Sequence, residues 1–398
     1  EEIYKFTPIQ HPANDMTVKT ITTHFDYHSI DHNLLKLDIL GHDDPTMIRT
    51  LEDYITSDAM ENEYNEEHPF VATEIPLDDK KVIELFHGTE ILGIKPEDID
   101  GCKLGCLGIP EFGTDFVIQM VQDTKPQTLS DLIRISGLSH GTNVWLGNAQ
   151  ELVKSGTATI STAICTRDDI MIYLINQGVE SALAFTIMES VRKGKGLKPE
   201  WEEAMKAQNV PDWYIWSCKK ISYMFPKAHA AAYVMMAYRI AYCKINYPLA
   251  YYAAYFSIRA DAFSYEIMCQ GREKLDYYMK DYKRRSDTLT KKEQDTMKDM
   301  KIVQEMYARG FDFTPIDVYR AKPDRFQVID GKLMPALNTI DGMGDNAAIA
   351  VAEAAKDGKF LSKDDFRQRT KATKTVIDLM ADLGPVSYTH LRAHETPE

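Results

Sequence analysis

The chain has 398 residues, and its 60 acidic residues against 46 lysines and arginines give a formal net charge of −14. Hydrophobic residues at 44% and charged residues at 27% are usual for globular proteins, which excludes a disordered or fibrous chain. No run of about 18 apolar residues and no signal peptide is recognisable, so we expect no membrane segment. Six cysteines without a paired spacing predict reduced thiols and a cytoplasmic location.

The first forty residues are predicted to be extended. A strand is expected over Leu34–Leu40, where alternation places Lys36 and Asp38 on one face and apolar side chains on the other. From Pro45 onward the pattern becomes helical, and one helix is expected from about Ala228 to Asn246, between two prolines.

The second half of the chain continues mainly helical. Residues 271–309 predict a charged helical stretch, residues 310–334 contain short strand-like pieces, and two or three helices close the chain. The predicted fold class is therefore mainly α (α+β), with a small β portion at the start.

Charge is distributed unevenly along the chain. Residues 51–100 hold fifteen acidic and three basic residues, whereas residues 191–310 hold fourteen acidic and twenty-two basic residues. Because a polyanion responds to the local field within a Debye length of about 10 Å, the basic segment predicts a nucleic-acid partner that the total charge disfavours. The alternative is a solvated helix face.

Asp38 lies in the middle of the predicted apolar strand, where aspartate is unusual. Two-metal phosphoryl transfer needs rigidly held carboxylates that bridge two cations about 3.5–4 Å apart. Metal binding would therefore explain an aspartate at this position. The alternative is an edge-strand aspartate that faces solvent.

Three cations and two glycines alternate at a helix end, in the run Arg192, Lys193, Gly194, Lys195 and Gly196. Glycines let backbone N–H groups curl around an anion, and the cations neutralise phosphate charge. The alternative is a solvated C-terminal turn.

The helix that begins near Lys227 carries an aromatic face. His229 and Tyr233 are four residues apart and share that face, and Lys227 and Arg239 supply positive charge. This combination suits a nucleotide, because aromatic rings stack on the base while cations meet the phosphates. The alternative is an amphipathic core helix.

A glycine-rich turn precedes an alanine-rich helix near the end of the chain. Gly342 and Gly344, followed by Asn346, match the helix-hairpin-helix signature, whose backbone amides contact duplex phosphates without reading bases. Asp341 and Asp345 flank the turn with negative charge, so a capped structural turn is the alternative.

Seven stretches together resemble the PolC-type family of DNA polymerase III α subunits, over about Ile3 to Gly384. They are Thr22–Asp26, Leu35–Thr46, Gly108–Gly113, Gly137–Thr142, Arg167–Met171, Arg192–Gly196 and Phe225–Tyr233. The resemblance implies the end of a nucleotidyltransferase-type palm sheet at 1–45, fingers at 46–270, connecting helices at 271–310 and a helix-hairpin-helix region at 311–384. Residues 385–398 show no periodicity, resemble translated adapter sequence and are interpreted as a non-native tail.

The resemblance also implies roles for individual residues. Asp38 corresponds to the third of three catalytic, metal-binding aspartates, and two Mg²⁺ ions are expected at a site that is incomplete in this chain. The implied nucleotide contacts are Arg192, Lys193 and Lys195 with phosphate, His229 and Tyr233 with the nascent base pair, and Arg167 and Lys227 as weaker phosphate candidates. The implied duplex contacts are Gly342, Gly344 and Asn346.

The function that follows is template-directed addition of dNTPs to a primer 3′ end, as part of a replicative DNA polymerase. Primer-template DNA, dNTPs, a sliding clamp and other replisome subunits are the expected partners of the complete protein, although the clamp-binding peptide is missing here. With one of three aspartates, this chain is expected to be inactive alone. The alternative is a non-enzymatic duplex-DNA-binding module built on the helix-hairpin-helix.

Overall fold

A computed structural model describes residues 2–37 and 39–383. The chain divides into two compact units, Glu1–His42 and Asp43–Glu398. Asp38, the predicted catalytic residue, and the predicted tail at 385–398 lie outside the described residues.

The first unit contains one small sheet. Strands β1 (Ile9–Gln10) and β2 (Thr22–Thr23) pair antiparallel, with Ile9 opposite Thr23. Single 3₁₀ turns occupy three further segments of this unit, namely Ile3–Lys5, Pro12–Asn14 and Tyr27–Ser29.

The strand predicted over Leu34–Leu40 is wrong for the residues that the structure describes there, because residues 34–37 and 39–40 form no strand. Leu35 is 84% exposed and Ile39 is 90% exposed. An alternating pattern produces a strand only when a neighbouring strand pairs its backbone and a core covers its apolar face. Within the described part of the first unit, β1 and β2 pair only with each other.

The second unit is built almost entirely from helices, so the predicted mainly α fold class is confirmed. Its described helices are α1 (Asp43–Thr56), α2 (Lys80–Glu84), α3 (Asp115–Thr124), α4 (Leu129–His140), α5 (Gln150–Lys154), α6 (Arg167–Gln177), α7 (Ser181–Arg192), α8 (Pro199–Ala207), α9 (Asp212–Lys220), α10 (Lys227–Asn246), α11 (Pro248–Ile258), α12 (Tyr265–Met268), α13 (Arg272–Arg284), α14 (Lys291–Ala308), α15 (Asp345–Lys356), α16 (Lys363–Thr370) and α17 (Lys374–Asp382). Short turns join several of them, at Ala72–Glu74, Glu90–Leu92, Pro96–Ile99, Trp145–Ala149, Ser286–Thr288 and Leu337–Thr339.

Two predicted elements of this unit are confirmed. Helix α10 covers the range expected between two prolines, and a short hairpin lies within residues 310–334. In that hairpin β3 (Gln327–Ile329) pairs antiparallel with β4 (Lys332–Met334). Asp330 and Gly331 connect the strands with φ of 50° and 71°, as a two-residue hairpin turn of right-handed twist requires.

The charged stretch at 271–309 is helical as predicted and consists mainly of two helices, α13 and α14. A capping box starts α14, because the Thr290 side chain accepts a hydrogen bond from the Glu293 backbone while the Glu293 carboxylate accepts one from the Thr290 backbone. The spacing of these two residues therefore signals a helix start that the charge pattern alone conceals.

Helix α10 is central to the main core, where it packs against α1, α2, α4 and α11. Large buried side chains such as Tyr238, Tyr251 and Tyr252 fill the space between these helices. A second, smaller cluster joins α15, α16 and α17 around residues such as Val351 and Phe366. Among the described helices, none has both the length and the apolar character that a membrane crossing requires.

Candidate functional site

Four aromatic rings meet at the start of α10. The ring centroid of His229 lies 4.5 Å from that of Tyr233 and 5.0 Å from that of Phe225. The ring of His140, at the end of α4, lies 5.4 Å from Phe225 and 6.2 Å from His229. His229 and Tyr233 thus share a face, as their spacing predicted, and all four side chains are partly exposed.

Two predicted phosphate contacts lie at the junction of α6 and α10. The Lys227 backbone N–H donates to the Asp168 carboxylate at 2.6 Å, so a side chain from α6 caps the start of α10. The Arg167 backbone N–H donates to the Phe225 carbonyl at 3.2 Å. These bonds hold Arg167 and Lys227 close to the aromatic cluster.

The segment 221–226 connects the predicted phosphate loop to the same place. The Met224 N–H donates to the Arg192 carbonyl at 3.2 Å, and Thr142, just beyond α4, bridges to Tyr223. Gly194 has φ of 70°, and a Cβ there would lie 2.6 Å from the Ser222 carbonyl oxygen. Glycine is therefore required where the Arg192–Gly196 loop meets this segment.

The cations of that loop are not equally available. The Arg192 guanidinium donates to the Glu189 carboxylate at 2.9 Å, and the Lys193 ammonium lies 3.0 Å from the same carboxylate. The hydrogen bond from Arg192 and the nearby Lys193 hold the pKa of Glu189 at about 2. Lys195 is exposed. An anion bound here would therefore compete with Glu189 for two of the three cations.

Sequence reasoning assigned no role to Glu111 and His140, whose side chains contact each other beside the aromatic cluster. The Glu111 carboxylate lies 3.0 Å from His140 Nε2 and accepts a hydrogen bond from Ser136 Oγ at 3.3 Å. His140 Nδ1 lies 2.7 Å from the Ser136 carbonyl oxygen, so both ring nitrogens face oxygen acceptors. Both residues stand in stretches that carried the family resemblance, and this was the available signal.

The glycine-rich turn before α15 is exposed. Gly342 has φ of 83°, and Gly342, Gly344 and Asn346 all face solvent. The flanking acids have structural partners, because Asp341 accepts a hydrogen bond from Ser264 at 2.8 Å and Asp345 accepts one from Asn338 at 3.1 Å. The element before the turn is only the 3₁₀ turn Leu337–Thr339.

Many cations of the basic stretch form ion pairs. Within α13 and α14, Arg284 pairs with Asp281, and both Lys291 and Lys298 pair with Asp295. Lys283 lies 2.6 Å from Asp100, which belongs to the acidic stretch. A solvated, paired helix face thus accounts for part of the basic stretch, and its role in nucleic-acid binding stays a prediction.

The predicted metal site cannot be built from the described residues. Among residues 2–37 and 39–383, no group of three or more histidine, cysteine, aspartate or glutamate side chains is arranged to hold a metal ion. Asp38, the predicted ligand, lies outside those residues.

Comparison with known proteins gives two family matches. Residues 44–209 match the bacterial DNA polymerase III alpha subunit finger domain, and residues 310–394 match a helix-hairpin-helix motif. The second match extends into the segment interpreted as a non-native tail, so that interpretation stays a prediction.

Individual relatives match almost the whole chain. It is 51% identical over 384 residues to the DNA polymerase III PolC-type of Oceanobacillus iheyensis and 50% identical over 384 residues to that of Caldanaerobacter subterraneus subsp. tengcongensis. It is 52% identical over 379 residues to that of Bacillus subtilis. These matches cover 95–96% of this chain but 25–26% of the relatives, so the chain spans about a quarter of their length.

Proposed function

The chain belongs to the PolC-type DNA polymerase III family, as its motifs predicted, and we propose that it forms the fingers and duplex-binding part of a replicative DNA polymerase. The whole enzyme would add dNTPs to a primer 3′ end under the direction of a template. The observation that carries this proposal is the convergence of the aromatic face of α10 and the Arg192–Gly196 loop on the single segment 221–226.

In the proposed nucleotide pocket, aromatic rings would contact the base pair and cations would contact the phosphates. His229 and Tyr233 would lie against the nascent base pair, where stacking contributes about 1–3 kcal/mol per base and depends little on sequence. Arg167 and Lys227 at the α6–α10 junction would meet phosphate charge, together with the cations of the Arg192–Gly196 loop. Selection would then follow base-pair shape.

Two Mg²⁺ ions would stabilise the attacking and leaving oxygens of phosphoryl transfer. Their proposed ligand in this chain is Asp38, and this assignment rests on the family resemblance. The described residues supply no cluster of carboxylates that could hold a metal ion. We expect no primer extension by this chain alone, because the resemblance assigns it one of three aspartates.

The turn at Gly342–Gly344 would bind duplex DNA. Its exposed backbone, together with Asn346 at the start of α15, would contact phosphates without reading bases. The sliding clamp and other replisome subunits are proposed as partners of the whole protein, and a cytoplasmic location belongs to the same proposal.

A second candidate function is a non-enzymatic duplex-DNA-binding module. The helix-hairpin-helix match and the exposed turn at Gly342–Gly344 favour it. In that case the helical body would be a scaffold without a nucleotide pocket.

Nucleotide binding separates the two functions. In the presence of primer-template DNA, the chain is expected to bind the correct dNTP saturably. Tyr233→Ala is expected to weaken that binding at least about fivefold, since one stacked ring contributes about 1–3 kcal/mol. Tyr277→Ala removes an exposed tyrosine from α13 and serves as the matched control. Salt-sensitive duplex binding without any dNTP response would favour the module.

A further inference from the structure

A cleft of about 600 Å³ adjoins the aromatic cluster and has no role in the function proposed above. Residues 107–111 and 113–117 line it, together with the end of α4 and residues from α11 and α14. His140 belongs both to this cleft and to the cluster with Phe225 and His229, so the two sites are continuous. A ligand in the cleft would therefore lie beside the position proposed for the nascent base pair.

Three basic side chains and two acidic side chains line the cleft, apart from His140. Arg259 follows α11, and Lys298 and Lys301 belong to α14. Their respective ion-pair partners are Asp44, Asp295 and Asp115. The Lys301–Asp115 contact is loose at 3.8 Å, and the Asp115 side chain is 89% exposed. The other lining acid, Glu111, already pairs with His140.

The cleft also contains an exposed aromatic ring on which a ligand could stack. Phe116, in the first turn of α3, lines the cleft and is 45% exposed. Single-stranded nucleic acids are held by this combination, because cations follow the backbone and an aromatic face stacks on an unpaired base. A volume of about 600 Å³ lies within the range of small-ligand sites, about 300–1,000 Å³, and is too small for a duplex.

The loop around Gly105–Gly108, which leads into the cleft lining, is held in place by buried side chains of α10 and α11. The Lys244 ammonium donates to the carbonyls of Gly105 and Leu107 at 2.8 and 2.6 Å. Gly108 has φ of 76°, and a Cβ there would lie 2.3 Å from the hydroxyl of Tyr251. The shape of the cleft is therefore set before any ligand arrives, which lowers the entropic cost of binding.

We propose that this cleft binds the unpaired template strand just ahead of the nascent base pair, with Lys298 and Lys301 on its phosphates and Phe116 stacked on a base. The inference rests on the proposed polymerase function and adds a substrate subsite to it. It assigns the template side of the pocket to α3, α11 and α14, and the incoming nucleotide side to α10.

Binding of the 398-residue chain to DNA tests this assignment. The probes are a labelled primer-template with a single-stranded 5′ template overhang and a blunt duplex of equal length. Lys298→Ala/Lys301→Ala is compared with Lys291→Ala/Lys292→Ala, which removes the same charge from the same helix outside the cleft. Thermal unfolding of each variant is measured alongside.

The cleft pair is expected to weaken overhang binding about tenfold and to lower the salt slope by about 1.4, since each single-strand phosphate contact contributes about 0.7. The control pair is expected to change the affinity less than about twofold, and blunt-duplex binding is expected to hold for both. Phe116→Ala is expected to weaken overhang binding with the salt slope unchanged, because stacking releases no counterions.

Equal losses for the two lysine pairs, or an equal loss for the blunt duplex, would overturn the template cleft. So would unchanged overhang binding by a cleft variant that unfolds at the wild-type temperature. If dNTP binding that depends on Tyr233 persists in that case, the proposed function stands and only the template assignment fails.

Discussion

Lys244 carries a charge that is fully buried. Its ammonium contacts the Glu305 carboxylate, and neither side chain is exposed. The Tyr252 hydroxyl donates to the same carboxylate at 2.6 Å. Burial lowers the pKa of Lys244, and Glu305 opposes that shift. The ion pair is therefore viable only as a fully hydrogen-bonded set, and it holds the loop that leads to Glu111.

Lys244→Met is expected to lower the free energy of unfolding by about 3–5 kcal/mol, because it leaves the charge of Glu305 buried and unpaired. Denaturant unfolding followed by circular dichroism measures the loss. Lys291→Met on α14 is the control, since its ion pair with Asp295 is exposed to solvent and contributes little to stability. An unfolding free energy unchanged by Lys244→Met would mean that the pair does not hold this loop.

At the level of single residues, local spacing could be predicted and tertiary pairing could not. His229 and Tyr233 share a face because they are four residues apart on one helix. The Arg192–Glu189 pair also follows from helical spacing, although only the structure drew attention to it. Glu111 and His140 are separated by 29 positions and a whole helix, so their contact depends on packing that no local pattern encodes.

Among the connecting elements, the loop after α7 depends on two glycines with different surroundings. Gly194 and Gly196 both have φ of 70°, but only Gly194 has backbone atoms close to the position of a Cβ. Gly196→Ala is expected to cost about 1–2 kcal/mol from backbone strain alone. Gly194→Ala is expected to cost clearly more and to weaken dNTP binding, because the loop must move away from Ser222. Equal unfolding midpoints for the two variants would contradict this.

Whole elements were predicted well where prolines or turn residues mark their ends. Prolines at 226 and 248 bracket α10, and Asp330-Gly331 forms the β3–β4 turn. One predicted element failed, because the alternation at Leu34–Leu40 lacks a partner strand among the described residues. The charged stretch at 271–309 is helical as predicted, and a capping box divides it into two helices.

At the scale of the whole molecule, the basic stretch at 191–310 has two interpretations, a nucleic-acid-binding surface and an ion-paired helix face, and both can apply to different parts of it. Lys283–Asp100 joins the basic to the acidic stretch, and the acidic stretch also pairs elsewhere, for example Asp53 with Arg325. Part of the basic excess is therefore neutralised within the fold. The cations that the proposals use lie around α10 and in the cleft beside it.

The sequence could predict the family because long motifs recur along most of the chain, and it could predict the mainly α class because helical periodicity persists from Asp43 onward. It could not predict which loops converge on residues 221–226, since those contacts join positions 142, 167, 192 and 224. The predicted domain limits, the catalytic role of Asp38 and the Mg²⁺ site stay predictions.

Primer extension by a chimaera tests the central claim most directly. Residues 2–383 would replace the matching quarter of the DNA polymerase III PolC-type of Bacillus subtilis, with which the chain shares 52% identity. The account predicts template-dependent extension by the chimaera, lowered at least about fivefold by Tyr233→Ala and unchanged by Tyr277→Ala. A chimaera that folds and binds primer-template DNA but extends no primer would contradict the claim that this chain forms the fingers of a polymerase.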